Sequence, residues 1–325
     1  MELTRDLQAL VEALVGPLEF TPLDVSAQSG IDIEQARRLW RALGFPPVPD
    51  ASRIFTRADV DVLHGVRRLL DRYGIDWPTL IQLARLTGRS LSRIADAQVD
   101  AGGPLMNDPG AVLPEFAADF ERLMAYVWRR QLLAAILRRA AFPSESPPDL
   151  TVGFADLVGF TALSQALDAS ELAGMVDRFE AIGYEHVPLH GGRVIKMIGD
   201  EIMFACDDVA GGAAIALALV EAHAADPDLP DIRVGLASGP TLQWDGDLFG
   251  PTVNLASRLV NVAHPGTVLV SETVAHALDG APDVTLRPLR PVRLQGIGRV
   301  PTWVLRRGGD EPAARRGPKQ LRKRR

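Results

Sequence analysis

The sequence predicts two domains, an α-helical one followed by an α+β one. Three observations point that way. Through Ala141 the apolar residues recur at helical spacing, with no convincing alternating strand. Pro143-Ser144-Glu145-Ser146-Pro147-Pro148 then breaks the chain with residues that cannot continue a helix. Beyond it, short apolar strands mix with helices and hairpin turns, the grammar of an α+β fold. At 325 residues each half can bury its own core.

The elements follow in order. Residues 1–15 carry Leu3, Leu7, Leu10 and Leu14 at helical spacing. A second helix is expected over 33–43, then a stop at Pro46-Pro47-Val48-Pro49. Residues 57–73 repeat the pattern with Val60, Leu63, Val66 and Leu70; two shorter helices are expected over 79–86 and 91–99, and the longest over 113–141. In the second half strands are predicted at 150–155, 194–197, 201–205, 232–238, 267–271, 292–294 and 302–305. Helices are predicted at 170–189, 210–224, 252–262 and 272–278. The expected division is a helical domain over 1–142, a linker over 143–149, an α+β domain over 150–305 and a disordered basic tail over 306–325.

Composition excludes several classes. The chain is 47% hydrophobic and 23% charged, which fits a globular protein and not a disordered one. It has no apolar run long enough to cross a membrane. Met1 to Gly16 is amphipathic and acidic, unlike a signal peptide. One cysteine, Cys206, excludes an internal disulfide framework and fits a reduced, cytoplasmic setting. Its apolar neighbours give it the reading of a small buried residue. Net charge is −1 through Phe142, −12 over residues 143–305 and +7 after Leu305. The basic tail suits weak contact with anionic surfaces. A solvated tail with no specific partner is the preferred reading.

Chemistry concentrates in three segments. In FADLVGFT, residues 154–161, a strand ends on the carboxylate of Asp156 and a small turn follows. Backbone N–H groups at such a turn suit phosphate oxygens. In KMIGDEIMF, residues 196–204, a Gly-Asp turn lifts Asp200 to the tip of a hairpin. Two carboxylates on neighbouring strand ends can share divalent cations, and Mg²⁺ prefers a few carboxylates plus substrate phosphates. In DLFGPTVNLASR, residues 247–258, Asn254 and Arg258 share one helix face while Leu255, Leu259 and Val262 share the core-facing one. Arg forks onto phosphate oxygens. Singly, each segment also has an ordinary reading: a strand-end turn, a commonplace hairpin, a solvated polar face.

Together, in this order and spacing, the segments resemble the class III nucleotide cyclases over residues 150–305. The resemblance implies an α+β cyclase domain with a ferredoxin-like βαββαβ core, converting ATP to cyclic AMP and pyrophosphate. It implies that Asp156, Asp200 and the Leu157 carbonyl hold two Mg²⁺ or Mn²⁺ ions per site. Lys196 and Asp247 would read the purine, Asn254 would orient the ribose, and Arg258 would stabilise charge on the α-phosphate. Adenine offers a ring-nitrogen acceptor and an amine donor, which a Lys donor and an Asp acceptor complement. Guanylate cyclases of the family typically carry Glu and Cys there. In the family the metal aspartates come from one subunit and the other groups from its partner, so a head-to-tail homodimer with two equivalent sites is expected. The sequence departs from many relatives around Val292 to Gly298, where a phosphate-binding Lys is missing. Arg293 and Arg299 are the nearby cations.

The helical half resembles the regulatory domain found before some bacterial class III cyclases, where it can inhibit the catalytic pair. A passive dimerisation domain fits the same helices. Residues 29–45 also read as a helix-turn-helix, but the near-neutral charge of this half argues against DNA, and no specific nucleic acid is expected. The rival for the second half is a catalytically weak or silent cyclase-like domain serving dimerisation or nucleotide sensing. Such a domain should have lost metal or purine residues, and all six matched side chains are present.

Overall fold

The computed structural model describes residues 5–102, 109–141 and 149–309. Residues 143–148 of the predicted linker and 310–325 of the predicted tail lie outside the described residues; the linker's last residue, Asp149, instead opens a strand. The chain divides into two compact units, Met1–Ala141 and Phe142–Arg325.

The first unit is helical: α1 Arg5–Val15, α2 Pro22–Ser29, α3 Ile33–Ala42, α4 Arg57–Tyr73, α5 Trp77–Asp100 and α6 Pro109–Ala141. Helix α2 was not expected, being short and weakly periodic. Its start is set by a capping box in which the Asp24 N–H donates to Thr21 Oγ1 at 3.1 Å and the Thr21 N–H donates to Asp24 Oδ2 at 2.9 Å. Thr56 and Asp59 open α4 in the same way. The two helices expected over 79–86 and 91–99 are one, α5. Gly88 looks like a breaker between them, but its role is packing: a Cβ there would meet the Leu43 carbonyl oxygen at 2.2 Å. Val25, Leu39, Phe55, Val60, Leu63 and Ile81 are buried in this unit's core. Trp40 packs at a tilt against Phe45 and meets Phe55 edge-on, and its indole N–H donates to the Pro46 carbonyl at 2.8 Å. Helix α6, by contrast, leaves Tyr126, Trp128, Leu133, Ile136 and Leu137 exposed.

The second unit is built on β1 Asp149–Leu157, β2 Arg193–Ile198, β3 Glu201–Cys206, β4 Ile232–Pro240, β5 Leu242–Trp244, β6 Asp247–Phe249, β7 Val268–Val270, β8 Val284–Pro288, β9 Val292–Leu294, β10 Gly298–Val300 and β11 Trp303–Arg307. Its helices are α7 Phe160–Ala166, α8 Ala169–Leu189, α9 Val209–Ala225, α10 Pro251–Val262 and α11 Glu272–Ala277. The main sheet has the order β2-β3-β1-β4-β7-β11-β8, with β4–β7 the parallel pair. Its first four strands, β2-β3-β1-β4, are antiparallel in the arrangement of a βαββαβ unit.

Both sheet faces are covered, and alternation along each strand decides which residue meets which layer. Ala155, Leu157, Ile202, Phe204, Ile232 and Val234 pack in the core that holds Phe179 of α8 and Ile215 and Leu219 of α9. Val152, Phe154, Met203 and Ala237 pack with Ala256, Leu259 and Val260 of α10. Helix α10 lies close to β4 because Gly235 has no side chain: a Cβ would meet the Val260 nitrogen at 2.3 Å and the Ala256 carbonyl oxygen at 2.4 Å. The core face of α10 is therefore Thr252, Ala256, Leu259 and Val260. Of the three residues expected there, Leu259 is buried, Leu255 partly so, and Val262 is 39% exposed.

Four strands, β5, β6, β8 and β10, were missed; β10 is only three residues long and mostly exposed. β8 is a short edge strand whose apolar alternation is limited to Val284 and Leu286, half-buried against the core. β5 and β6 form a hairpin whose Asp245-Gly246 turn has φ of 53° and 76°. That Asp-Gly pair was a legible hairpin signal. The sheet also runs past Leu305: Arg306 and Arg307 belong to β11, and Arg307 donates to Glu221 on α9, with Nη2 to Oε2 at 3.0 Å. Among the described residues no helix is long and apolar enough to cross a membrane.

Candidate active site

Asp156 stands near the end of β1, on the face that α10 covers. Its pairing partners are Glu201 on β3 and Arg233 on β4. Directly paired residues project to the same face, so Glu201, Asp156 and Arg233 form a row across three central strands. The β2–β3 turn brings Asp200 to the same end. Gly199 takes the left-handed conformation there, at φ 61°, and the Leu157 N–H donates to the Asp200 carbonyl at 3.1 Å. The Val158 N–H is held by the Asp231 carbonyl at 2.9 Å. Gly159, at φ 79°, then turns the chain into α7.

Charge at this end of the sheet is unbalanced. Arg233 donates through Nε to Asp156 Oδ2 at 2.6 Å, and its Nη2 lies at 2.6 Å from the same oxygen. Burial nevertheless lifts the Asp156 carboxyl above its usual range; Arg233 opposes that lift and Asp200 adds to it. Glu201 is pushed up to about 7, by burial first and then by Asp156 and Asp200, with Arg233 and Lys196 offsetting part. Carboxyl groups so short of positive charge suit a divalent cation. Among the described residues no group of three or more His, Cys, Asp or Glu side chains is arranged to hold a metal by itself. Asp156 and Asp200 offer two carboxylates, a donor set that an ion such as Mg²⁺ would complete with substrate oxygens.

Lys196 on β2 and Asp247 on β6, predicted as a pair, are in direct ionic contact. The other Asp247 oxygen accepts the Leu248 N–H at 2.8 Å, so the carboxylate is held from two sides. Asn254 and Arg258 stand exposed on α10. Among the described residues neither bonds to Asp156, Asp200, Lys196 or Asp247. Arg293 and Arg299 face each other across the β9–β10 hairpin, both exposed. One chain therefore assembles the two aspartates, and separately the Lys–Asp pair, but leaves Asn254 and Arg258 apart from both.

The sequence patterns did not single out two residues of this region. Glu201 directly follows Asp200. Arg233 was legible as the one charged residue inside the apolar run Ile232 to Ala237, because a charge in a buried strand needs a partner.

Residues 142–307 match the family described as "Adenylate and Guanylate cyclase catalytic domain", and residues 6–138 match "Adenylate cyclase regulatory domain". The chain is 36% identical to an adenylate cyclase of Streptomyces coelicolor, over 90% of this chain and 88% of that protein. It is 33% identical to an adenylate cyclase of Glutamicibacter nicotianae, over 94% of this chain and 84% of that protein. A pH-sensitive adenylate cyclase of Mycobacterium tuberculosis is 31% identical, over 88% of this chain and 77% of its own length.

Proposed function

The chain belongs to the class III adenylate and guanylate cyclase family, joined to that family's adenylate cyclase regulatory domain, and from that premise we propose that it converts ATP to 3′,5′-cyclic AMP and pyrophosphate at two sites shared across a homodimer. The observation that carries the reading is the division of the site residues. Asp156 with Asp200, and Lys196 with Asp247, are each preassembled in one chain, while Asn254 and Arg258 stand exposed, open to a nucleotide held partly by a second copy.

In this reading Asp156 and Asp200, with the Leu157 carbonyl, would hold Mg²⁺ or Mn²⁺. The bound cations would supply a lowered hydroxyl pKa at the 3′-oxygen and balance charge on the leaving pyrophosphate. Lys196 donates to the adenine ring nitrogen and Asp247 accepts from its amine. Asn254 fixes the ribose so that the 3′-oxygen faces the α-phosphate in line. Arg258 neutralises charge that builds on the α-phosphate oxygens. No covalent enzyme intermediate is required.

Purified protein with Mn²⁺ or Mg²⁺ tests the reaction, using ATP against GTP and scoring cyclic product. Cyclic AMP is expected, with GTP turned over at least about tenfold less efficiently. No cyclic product with either metal would leave the silent-domain reading standing. We assign residues 1–142 the regulation of this activity, with α6, whose apolar side chains lie exposed, adding to the dimer interface. Activity of residues 144–325 should therefore differ from the full chain in level or pH profile. Identical curves would refute regulation.

A further inference from the structure

We propose that Arg233 is the resident counter-ion of Asp156 in the nucleotide-free enzyme, and that a divalent cation entering the site displaces it. The inference rests on the metal-binding reading of Asp156 given above.

Sheet register fixes the pairing. Arg233 lies directly across from Asp156, and the opposite neighbour of Asp156 is the acidic Glu201. The other nearby cation, Lys196, is engaged with Asp247. Arg233 is thus the positive charge available to a carboxylate whose side chain is only 15% exposed. A carboxylate that dry without a counter-charge is costly, and the guanidinium removes that cost while no metal is bound.

The geometry of the pair leaves a way in. Nε and Nη2 both address one oxygen, Oδ2, at 2.6 Å. Among the described residues Oδ1 of Asp156 receives no hydrogen bond. Oδ1 is therefore the oxygen that would stay open to a cation while Arg233 holds Oδ2. Arg233 also has a second hold: its Nη1 donates to the Asn261 carbonyl at 3.1 Å. Asn261 is in the last turn of α10, where carbonyls lack helical partners and the helix end is negative. An arginine released by Asp156 keeps that bond and, at 30% side-chain exposure, part of its hydration.

A different role makes the opposite prediction. If Arg233 merely holds the Asp156 carboxylate in the orientation that binds metal, removing it weakens metal binding. If it competes with the metal, removing it tightens binding. Mn²⁺ binding to the full-length, nucleotide-free protein separates the two, read as loss of the free Mn²⁺ signal by electron paramagnetic resonance. Arg233→Met should bind Mn²⁺ about three- to tenfold more tightly than wild type, from removing one positive charge a few ångströms from a divalent ion. Arg233→Lys, which keeps the charge, should stay within about twofold of wild type on the same grounds. Unchanged or weaker binding by Arg233→Met overturns the proposal. Should that variant not fold by circular dichroism, Arg233→Gln removes the same charge and reads the same quantity. Asp156→Asn is the reference. If it binds Mn²⁺ as wild type does, the metal reading fails and takes this proposal with it. If it loses binding while Arg233→Met gains none, only the displacement fails.

Discussion

Mixing Asp156→Ala chains with Arg258→Ala chains restores cyclase activity that neither variant has alone. The expectation follows from the shared-site dimer. Asp156 lies at the end of β1 beside Asp200, whereas Arg258 stands exposed on α10 without a bond to either. Each homodimer of a single variant lacks one essential group at both sites. Losing a metal ligand or a charge-stabilising donor should lower kcat by roughly 10²–10³-fold. In a heterodimer the two losses fall together on one site and leave the other complete. Random pairing of equal amounts makes half the dimers mixed, each with one good site, so activity should return to about a quarter of wild type. The measurement is cyclic AMP production before and after co-refolding or co-expression. No rescue in verified heterodimers would sink the shared site, even if each single variant is inactive.

Removing the charge of Asp247 should cost nearly as much, and should do so selectively. Asp247 is held by Lys196 on one oxygen and by the Leu248 N–H on the other, so it is a preorganised acceptor at the edge of the sheet. Asp247→Ala leaves the adenine amine without an acceptor and Lys196 without its partner. A site built to hydrogen-bond its substrate discriminates strongly when a partner is missing, and kcat/KM for ATP should fall by about 10²-fold or more. The change should fall mainly on the nucleobase: metal binding at Asp156 and Asp200 should be untouched. The paired substitution Lys196→Glu with Asp247→Cys presents the pattern typical of the family's guanylate cyclases and should move the ATP/GTP preference toward GTP. An Asp247→Ala enzyme that keeps wild-type preference for ATP would rule this pair out as the base reader.

Much of this protein is legible in its amino-acid sequence, because the signals are local. Apolar spacing located α3, α4 and most helices of the second unit. The Gly199-Asp200 turn between two short apolar runs located the β2–β3 hairpin. The family motifs were readable for a related reason: they place particular side chains at short fixed separations, as in the step from Asn254 to Arg258 along one helix face.

The tertiary structure decided what depends on neighbours distant in sequence. Gly88 breaks a helix in isolation, yet α5 continues through it because Leu43 of another segment needs the space. Gly235 similarly serves the approach of α10, which turns that helix's core face onto Ala256 and Val260 rather than Val262. The edge strand β8 offers only Val284 and Leu286 as an alternating apolar pair, too short a signal to read alone, and its pairing with β11 makes it a strand. Arg233 shows the same limit at the site: its charge was visible in the sequence, but its partner was set by strand register across β1 and β4. The sequence by itself carried the cyclase family motifs and most of the longer helices and strands, since both rest on short-range spacing. Only the packed sheet determined which carboxylate Arg233 neutralises and which groups one chain can bring together, because those choices depend on long-range pairing and the space it leaves.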